Sequence, residues 1–130
     1  MVDEMISSYD YHSLLQELCL ILPPKKYKAV YGYPRGGLIP AVHISHFLSI
    51  PLVTKIPKNF DIPELLIVDD IVDSGRTLDC YSKYYDIASL FWRKSVACFE
   101  PTYWIRDAKN KWIDFPYEKG GSGWPENSLI

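Results

Sequence analysis

Over residues 9–22 the apolar side chains Leu14, Leu15, Leu18, Ile21 and Leu22 recur three and four positions apart, and Pro23-Pro24 closes the run. This spacing predicts an amphipathic helix with Asp10 or Ser13 as its N-cap. Residues 29–33, Ala-Val-Tyr-Gly-Tyr, read as a short strand. The turn Pro34-Arg35-Gly36-Gly37 then leads into a second helix from about 38 to 48. Pro40 falls in its first turn, where a backbone N–H lacks a helical partner in any case. Residues 51–55 form a second candidate strand, followed by a Pro- and Asn-bearing connection through Pro63.

Leu65-Leu66-Ile67-Val68 is a continuous apolar run, the pattern of a strand buried on both faces of a parallel sheet. It ends abruptly in Asp69-Asp70-Ile71-Val72-Asp73-Ser74-Gly75-Arg76, after which a helix is expected from Thr77 to about Tyr85. Residues 87–91 and 96–99 supply further strand material. Strand, turn, helix, strand is the alternation of an α/β fold, a mostly parallel sheet flanked by helices. No internal repeat interrupts it, and Gly120-Gly121-Ser122-Gly123 marks a flexible stretch in the tail 119–130.

Composition narrows the function more than the fold. A chain of 130 residues with 48% hydrophobic and 23% charged residues is one packed domain rather than a disordered chain. A net charge of -2 and a pI near 5.9 argue against holding nucleic acid or an anionic membrane by bulk charge, so any bound anion is held locally. The start lacks the basic and apolar regions of a secretory signal, no run approaches the ~20 apolar residues of a membrane span, and a cytoplasmic protein is expected. Cys19, Cys80 and Cys98 are odd in number and widely spaced, which suits buried, inert thiols. His43 and His46 are three apart on one helix, a spacing compatible with metal but without a third ligand, so surface or packing roles are expected.

In open α/β sheets ligands bind beyond the carboxyl ends of the strands. There, Asp69, Asp70 and Asp73 occupy five positions after a buried strand. Carboxylates that close raise one another's pKa unless a cation or a hydroxyl-rich ligand sits among them, which suggests a sugar, a metal ion, or both. Ser74, Gly75, Arg76 and Thr77 follow at an expected helix start, where free amides, two hydroxyls and a guanidinium make a phosphate cradle. Acids for ring hydroxyls beside amides for a phosphate describe a ribose 5-phosphate pocket. The competing reading is a solvated acidic turn with an ordinary cap.

The thirteen residues Leu66-Ile67-Val68-Asp69-Asp70-Ile71-Val72-Asp73-Ser74-Gly75-Arg76-Thr77-Leu78 resemble the phosphoribosyl-pyrophosphate (PRPP) motif of the type I phosphoribosyltransferases. Tyr33-Pro34-Arg35-Gly36-Gly37-Leu38-Ile39-Pro40 is similar to that family's pyrophosphate loop, with Pro34 where the bacterial xanthine-guanine enzymes commonly carry Ser. The segments 91–94, 99–103 and 111–118 resemble the C-terminal half of the 6-oxopurine enzymes. A type I phosphoribosyltransferase fold is therefore expected, with a reduced hood: residues 56–63 stand where a typical purine enzyme carries a longer closing loop.

The resemblance implies transfer of the phosphoribosyl group from PRPP to a 6-oxopurine, with Mg2+ bridging the diphosphate and ribose hydroxyls. It implies that Arg35, Gly36, Asp69, Asp70, Asp73, Ser74, Gly75, Arg76 and Thr77 hold PRPP, and that Asp73 acts at the purine N7. On the same ground Lys94, Trp112, Ile113 and Asp114 meet the base, and Asp69, Asp70 and Glu118 are the candidate metal ligands. Arg93 is a rival for Lys94, because adjacent strand residues face opposite sides. A homodimer is expected, without nucleic-acid or membrane partners. Two alternatives stand beside this reading: a PRPP-binding regulatory protein without turnover, and transfer to a non-purine acceptor.

Overall fold

The computed structural model describes residues 2–118. The expectations for the 119–130 tail, its Gly120–Gly123 stretch included, lie outside the described residues. In chain order the elements are β1 (Val2–Met5), α1 (Ser8–Ile21), β2 (Ala29–Gly32), α2 (Leu38–Leu48), β3 (Leu52–Val53), a 3-10 turn (Lys58–Phe60), β4 (Leu65–Val72), α3 (Asp79–Ser82), β5 (Asp86–Trp92), β6 (Arg106–Asp107) and β7 (Lys111–Asp114).

Five strands form one sheet in the order β3-β2-β4-β5-β6, and every pair is parallel. A central parallel strand has no solvated face, and Leu65, Leu66, Ile67 and Val68 are all fully buried. On one face Val30, Leu66, Val68, Ala88 and Leu90 pack against Leu14, Leu15 and Leu18 of α1 and Ala41 and Ile44 of α2. The other face, with Ala29, Leu65, Ile67, Ile87 and Trp92, is closed by Leu78, Tyr85 and the partly buried Ile56, Ile62 and Trp104. Both long helices thus lie on one side, and loops with the single turn of α3 cover the other.

Several local expectations change. The cap of α1 is Ser7, whose Oγ accepts the amide of Asp10 at 3.0 Å, so Asp10 sits in the first turn and neither it nor Ser13 is the cap. β4 does not end at Val68. It runs on through Asp69 and Asp70 to Val72 because the long β5 continues to pair with it, Asp69 opposite Ser89 and Val72 opposite Trp92. The helix expected over 77–85 is reduced to Asp79–Ser82, where Ser82 Oγ turns back onto the Asp79 carbonyl at 2.7 Å. Residues 96–99 are not a strand: the Arg93 carbonyl accepts the amides of Val96 and Ala97, and the chain folds back so that the Cys98 amide reaches Ser74 O at 2.8 Å.

Cys19 is buried, and burial pushes its thiol up to about 11, but Cys80 and Cys98 are exposed. A second small sheet pairs β1 in parallel with β7, from Val2 opposite Lys111 to Met5 opposite Asp114. It carries Ile6, Ile113 and Phe115 into the α1 side of the core. The 56–63 connection does not arch over the carboxyl ends of the strands along its whole length. Its Phe60 ring lies 4.5 Å from that of Tyr84 and 5.8 Å from that of Tyr85, and Tyr84 borders the starts of β4 and β5.

Candidate active site

The chain leaves β2 through α2 toward β3 on one side, then returns to β4 and continues to β5 on the other. The reversal makes the gap beyond the carboxyl ends of β2 and β4 the switch point of the sheet, where such folds bind ligands. Two loops meet there. The Tyr33 amide donates to the Val68 carbonyl at 2.9 Å and Gly37 N to Tyr33 O at 2.8 Å, which pins the 33–37 turn to the end of β4. A Cβ on Gly36 would lie 2.2 Å from Asp70 Oδ2, and one on Gly37 would lie 2.2 Å from Val68 O. Glycine at both positions lets the turn's backbone touch the acidic strand end. The Pro34–Arg35 peptide is cis, and the Arg35 side chain projects into solvent.

The two adjacent acids are held differently. Asp69 Oδ1 accepts the amide of Asp70 at 2.8 Å. Burial, with the neighbouring Asp70 charge, pushes the Asp69 carboxyl up to about 9, against the weaker opposing effect of that amide bond. Asp70 Oδ1 accepts the Ile71 amide at 2.7 Å, and its Oδ2 accepts the phenol of Tyr117. Beyond them Ser74, Arg76 and Thr77 are exposed around Gly75, which has φ +80°. Ser74 Oγ accepts the Arg76 amide at 3.3 Å. The loop runs into the single helical turn Asp79–Ser82, so the terminus of a long helix does not stand behind it.

Beside the acids lies a cavity of about 170 Å³ bordered by Asp70, Ile71, Asp73, Arg93, Trp112, Ile113, Phe115 and Glu118. Arg93 is 3% exposed. Its Nε donates to Asp73 Oδ1 at 2.6 Å and its Nη1 to the Lys109 carbonyl at 2.7 Å. Lys94 is exposed and does not border the cavity; its amide points to Asp107 Oδ1 at 3.4 Å. The backbone accounts for this placement: Arg93 N donates to Val72 O, extending the β4–β5 ladder by one residue and placing Arg93 on the Asp73 side. Trp112, half exposed, and the buried Ile113 border the cavity, whereas Asp114 lies outside it and its carbonyl takes the Ile6 amide at 2.9 Å.

Among the described residues no three His, Cys, Asp or Glu side chains form a group that could hold a metal ion, so Asp69, Asp70 and Glu118 do not make a protein cage. Glu118 Oε1 accepts the Phe115 amide at 3.0 Å, and burial raises its carboxyl above the ordinary range. His43 and His46 border an apolar groove on α2 with Leu38, Ile39, Val42 and Phe47, and the His43 ring meets His12 edge-on at 5.6 Å. Among the described residues no helix is long and apolar enough to cross a membrane. Tyr117 and Ser7 were missed from sequence; Ser7, three residues before Asp10, carried a usable capping signal, while nothing local linked Tyr117 to Asp70.

No protein-family model matches the chain. It is 31% identical over 116 residues to the xanthine-guanine phosphoribosyltransferase of Cereibacter sphaeroides, covering 71% of this chain and 70% of that protein. Among solved structures, the purine phosphoribosyltransferase of Pyrococcus horikoshii superposes with a TM-score of 0.77 at 29% identity, over 100% of this chain and 99% of that one. The xanthine-guanine-hypoxanthine phosphoribosyltransferase of Helicobacter pylori gives 0.72 at 25% identity, over 86% and 90%. With switch-point loops, paired acids and a Trp-bordered cavity in one place, and with these relatives spanning most of its length, the chain belongs to the type I phosphoribosyltransferases of the purine kind.

Proposed function

We propose that the protein transfers the 5-phosphoribosyl group of PRPP to a 6-oxopurine, releasing pyrophosphate and a purine nucleoside monophosphate. The observation that carries this reading is the meeting of Asp73, Arg93 and Trp112 around one cavity beside the Asp69-Asp70 strand end. In it the loop Ser74-Gly75-Arg76-Thr77 takes the 5-phosphate through amides, hydroxyls and the Arg76 guanidinium. Asp69 and Asp70 take the ribose hydroxyls. The Arg35 guanidinium and the amides of the 35–37 turn hold the diphosphate. Trp112 stacks on the base, an interaction of ~1–3 kcal/mol.

Transfer at an anomeric carbon passes through an oxocarbenium-like transition state, so carboxylates below the ring stabilise the developing positive charge. Asp73 accepts the N7–H of the incoming base as the new C–N bond forms. The cation expected beside the 6-oxo group is Arg93 rather than Lys94: two of its five N–H donors are spent on Asp73 and Lys109, which leaves others for a ligand. Mg2+ suits this site as a companion of the substrate, since it uses one or two carboxylates plus phosphate oxygens and keeps several waters. Asp69 and Asp70 are the side chains that would hold it, and when bound it neutralises charge on the departing diphosphate.

A PRPP-dependent assay with Mg2+ against guanine, hypoxanthine, xanthine, adenine and uracil tests the reading. Turnover of 6-oxopurines above adenine and uracil is expected, and turnover of uracil alone would replace it with a non-purine transfer. One observation favours a second reading, PRPP binding without turnover: Phe60 ties the 56–63 connection toward the far end of the sheet, against Tyr84 and Tyr85. Calorimetry showing PRPP binding with no product from any base would select it.

A further inference from the structure

Among the described residues Arg93 is the one cation bordering the cavity, and it is held on two sides. Its Nε–H meets Asp73 Oδ1 at 2.6 Å and its Nη1 meets the Lys109 carbonyl at 2.7 Å. Its main chain is fixed as well, with N on Val72 O at 2.9 Å and its carbonyl accepting the amides of Val96 and Ala97. The guanidinium is almost wholly buried, while the Asp73 side chain is about half exposed (48%) and, among the described residues, has no side-chain anchor other than Arg93. A planar guanidinium offers donors at fixed angles, so anchoring Nη1 to a backbone carbonyl sets the direction in which Nε presents its proton.

We infer that Arg93 is a positioning residue for the reaction: braced on the Lys109 carbonyl, it engages one oxygen of Asp73 and so fixes the other as the acceptor for the base N–H. This deepens the purine-transfer reading and rests on it. The geometry gives the pair a division of labour. Asp73 touches the reacting base, whereas Arg93 acts on the rate through Asp73 and separately offers its spare donors to the base edge. A lysine at the same place would supply the charge but not the fork, because its single ammonium lacks the fixed angle between two anchored donors. The consequence is that charge and rigidity can be separated by substitution.

The test is a kinetic double-mutant cycle with Arg93→Gln, Arg93→Lys and Asp73→Asn, each alone and with each Arg93 variant combined with Asp73→Asn. Far-UV circular dichroism and a cooperative thermal melt are recorded first for every variant and are expected to show a folded chain, so that a kinetic change is not a folding defect. Arg93→Gln is expected to lower kcat at saturating base by about 10- to 100-fold, the cost of an acceptor displaced by roughly an ångström. Arg93→Lys should recover base KM while keeping most of the kcat loss. On the Asp73→Asn background, replacing Arg93 should change kcat by less than about twofold, since the group it acts through is gone. A kcat loss that multiplies with Asp73→Asn, or full kcat in Arg93→Lys, would overturn the inference while leaving purine transfer standing. A wild-type protein that turns over no purine would instead remove the reading itself, and the inference with it.

Discussion

The phenol of Tyr117 donates to Oδ2 of Asp70, tying the segment after β7 to the acidic end of β4. Tyr117 also approaches the Gly36 carbonyl at 3.4 Å, so one hydroxyl spans the meeting point of the two switch-point loops. The other oxygen of Asp70 takes the Ile71 amide. Both carboxylate oxygens are therefore engaged before any ligand arrives. Burial and the Asp70 charge raise the phenol's pKa well above its ordinary value, which keeps it a donor over the working pH range.

Tyr117→Phe separates this contact's two effects. A ribose hydroxyl that bonds Asp70 Oδ2 competes with the phenol, and hydrogen bonds to charged groups contribute about 1.5–3 kcal/mol, so the variant should bind PRPP about tenfold more tightly. The same change removes the tie between the C-terminal segment and β4 and should lower the melting temperature. Calorimetry with PRPP and thermal melts of the free protein check the opposed directions. Weaker PRPP binding in a folded variant would mean that the phenol keeps its place in the complex.

Asp69 predicts a pH dependence of stability. Its carboxyl, raised to about 9 by burial and by Asp70, stays protonated in the folded chain at pH values where the unfolded chain has released the proton. The folded state then binds more protons, so this group's contribution turns against folding as pH rises from about 4 toward 9, by at most about 1.4 kcal/mol per pH unit. Asp69→Asn keeps the acceptor for the Asp70 amide and removes the titration. The variant's stability advantage in urea unfolding, with chelator present, should be small at pH 5 and grow through pH 7 to pH 9. A flat difference across that range would show Asp69 ionised in the free protein.

The parts legible in the sequence are those set by local chemistry. The bounds of α2, the buried core of β4 and the Arg35-Gly36-Gly37 and Asp69–Thr77 segments all follow from spacing, glycine and charge within a few residues. What escaped depends on distant pairing. The β1–β7 sheet joins residues near the two ends of the described chain, and no pattern in Val2–Met5 names Lys111–Asp114 as its partner. Asp69 and Asp70 looked like a loop because acids seldom extend a strand, yet β5 supplies a ladder that carries them. Alternation showed that Arg93 and Lys94 face opposite ways; which one faces inward is set by the Arg93–Val72 hydrogen bond, a tertiary fact.

Base recognition should follow the cavity lining rather than the linear motif. Trp112 borders the cavity with half its surface open, and Lys94 stands outside it. Trp112→Ala should raise the KM for guanine or hypoxanthine by about 5- to 150-fold, the equivalent of ~1–3 kcal/mol of stacking, with little effect on PRPP affinity. Lys94→Ala should leave both constants within about twofold. Steady-state kinetics with each substrate varied in turn decides the matter, and a large base-specific loss in Lys94→Ala would return the 6-oxo contact to that lysine.

The phosphate loop calls for a substitution that spares the fold, and Gly75 is the wrong place for it. Gly75 has φ +80°, and a Cβ there would lie 3.0 Å from Phe99 Cε1 and 3.1 Å from Cys98 Sγ. Any side chain would strain the backbone and press on the 98–99 segment, at a cost of about 1–2 kcal/mol that has nothing to do with a ligand. Thr77 is exposed, and none of its side-chain atoms is in a hydrogen bond among the described residues, so Thr77→Val removes a hydroxyl at nearly constant shape and should change stability by less than about 0.5 kcal/mol. If that hydroxyl donates to the 5-phosphate, PRPP affinity falls about 10- to 100-fold, the measure of a hydrogen bond to a charged group. Ribose 5-phosphate should lose affinity by the same factor, while pyrophosphate, held by the 35–37 turn, should lose none. Calorimetry with the three ligands separates the two anion sites, and an equal loss for pyrophosphate would place Thr77 at the diphosphate instead.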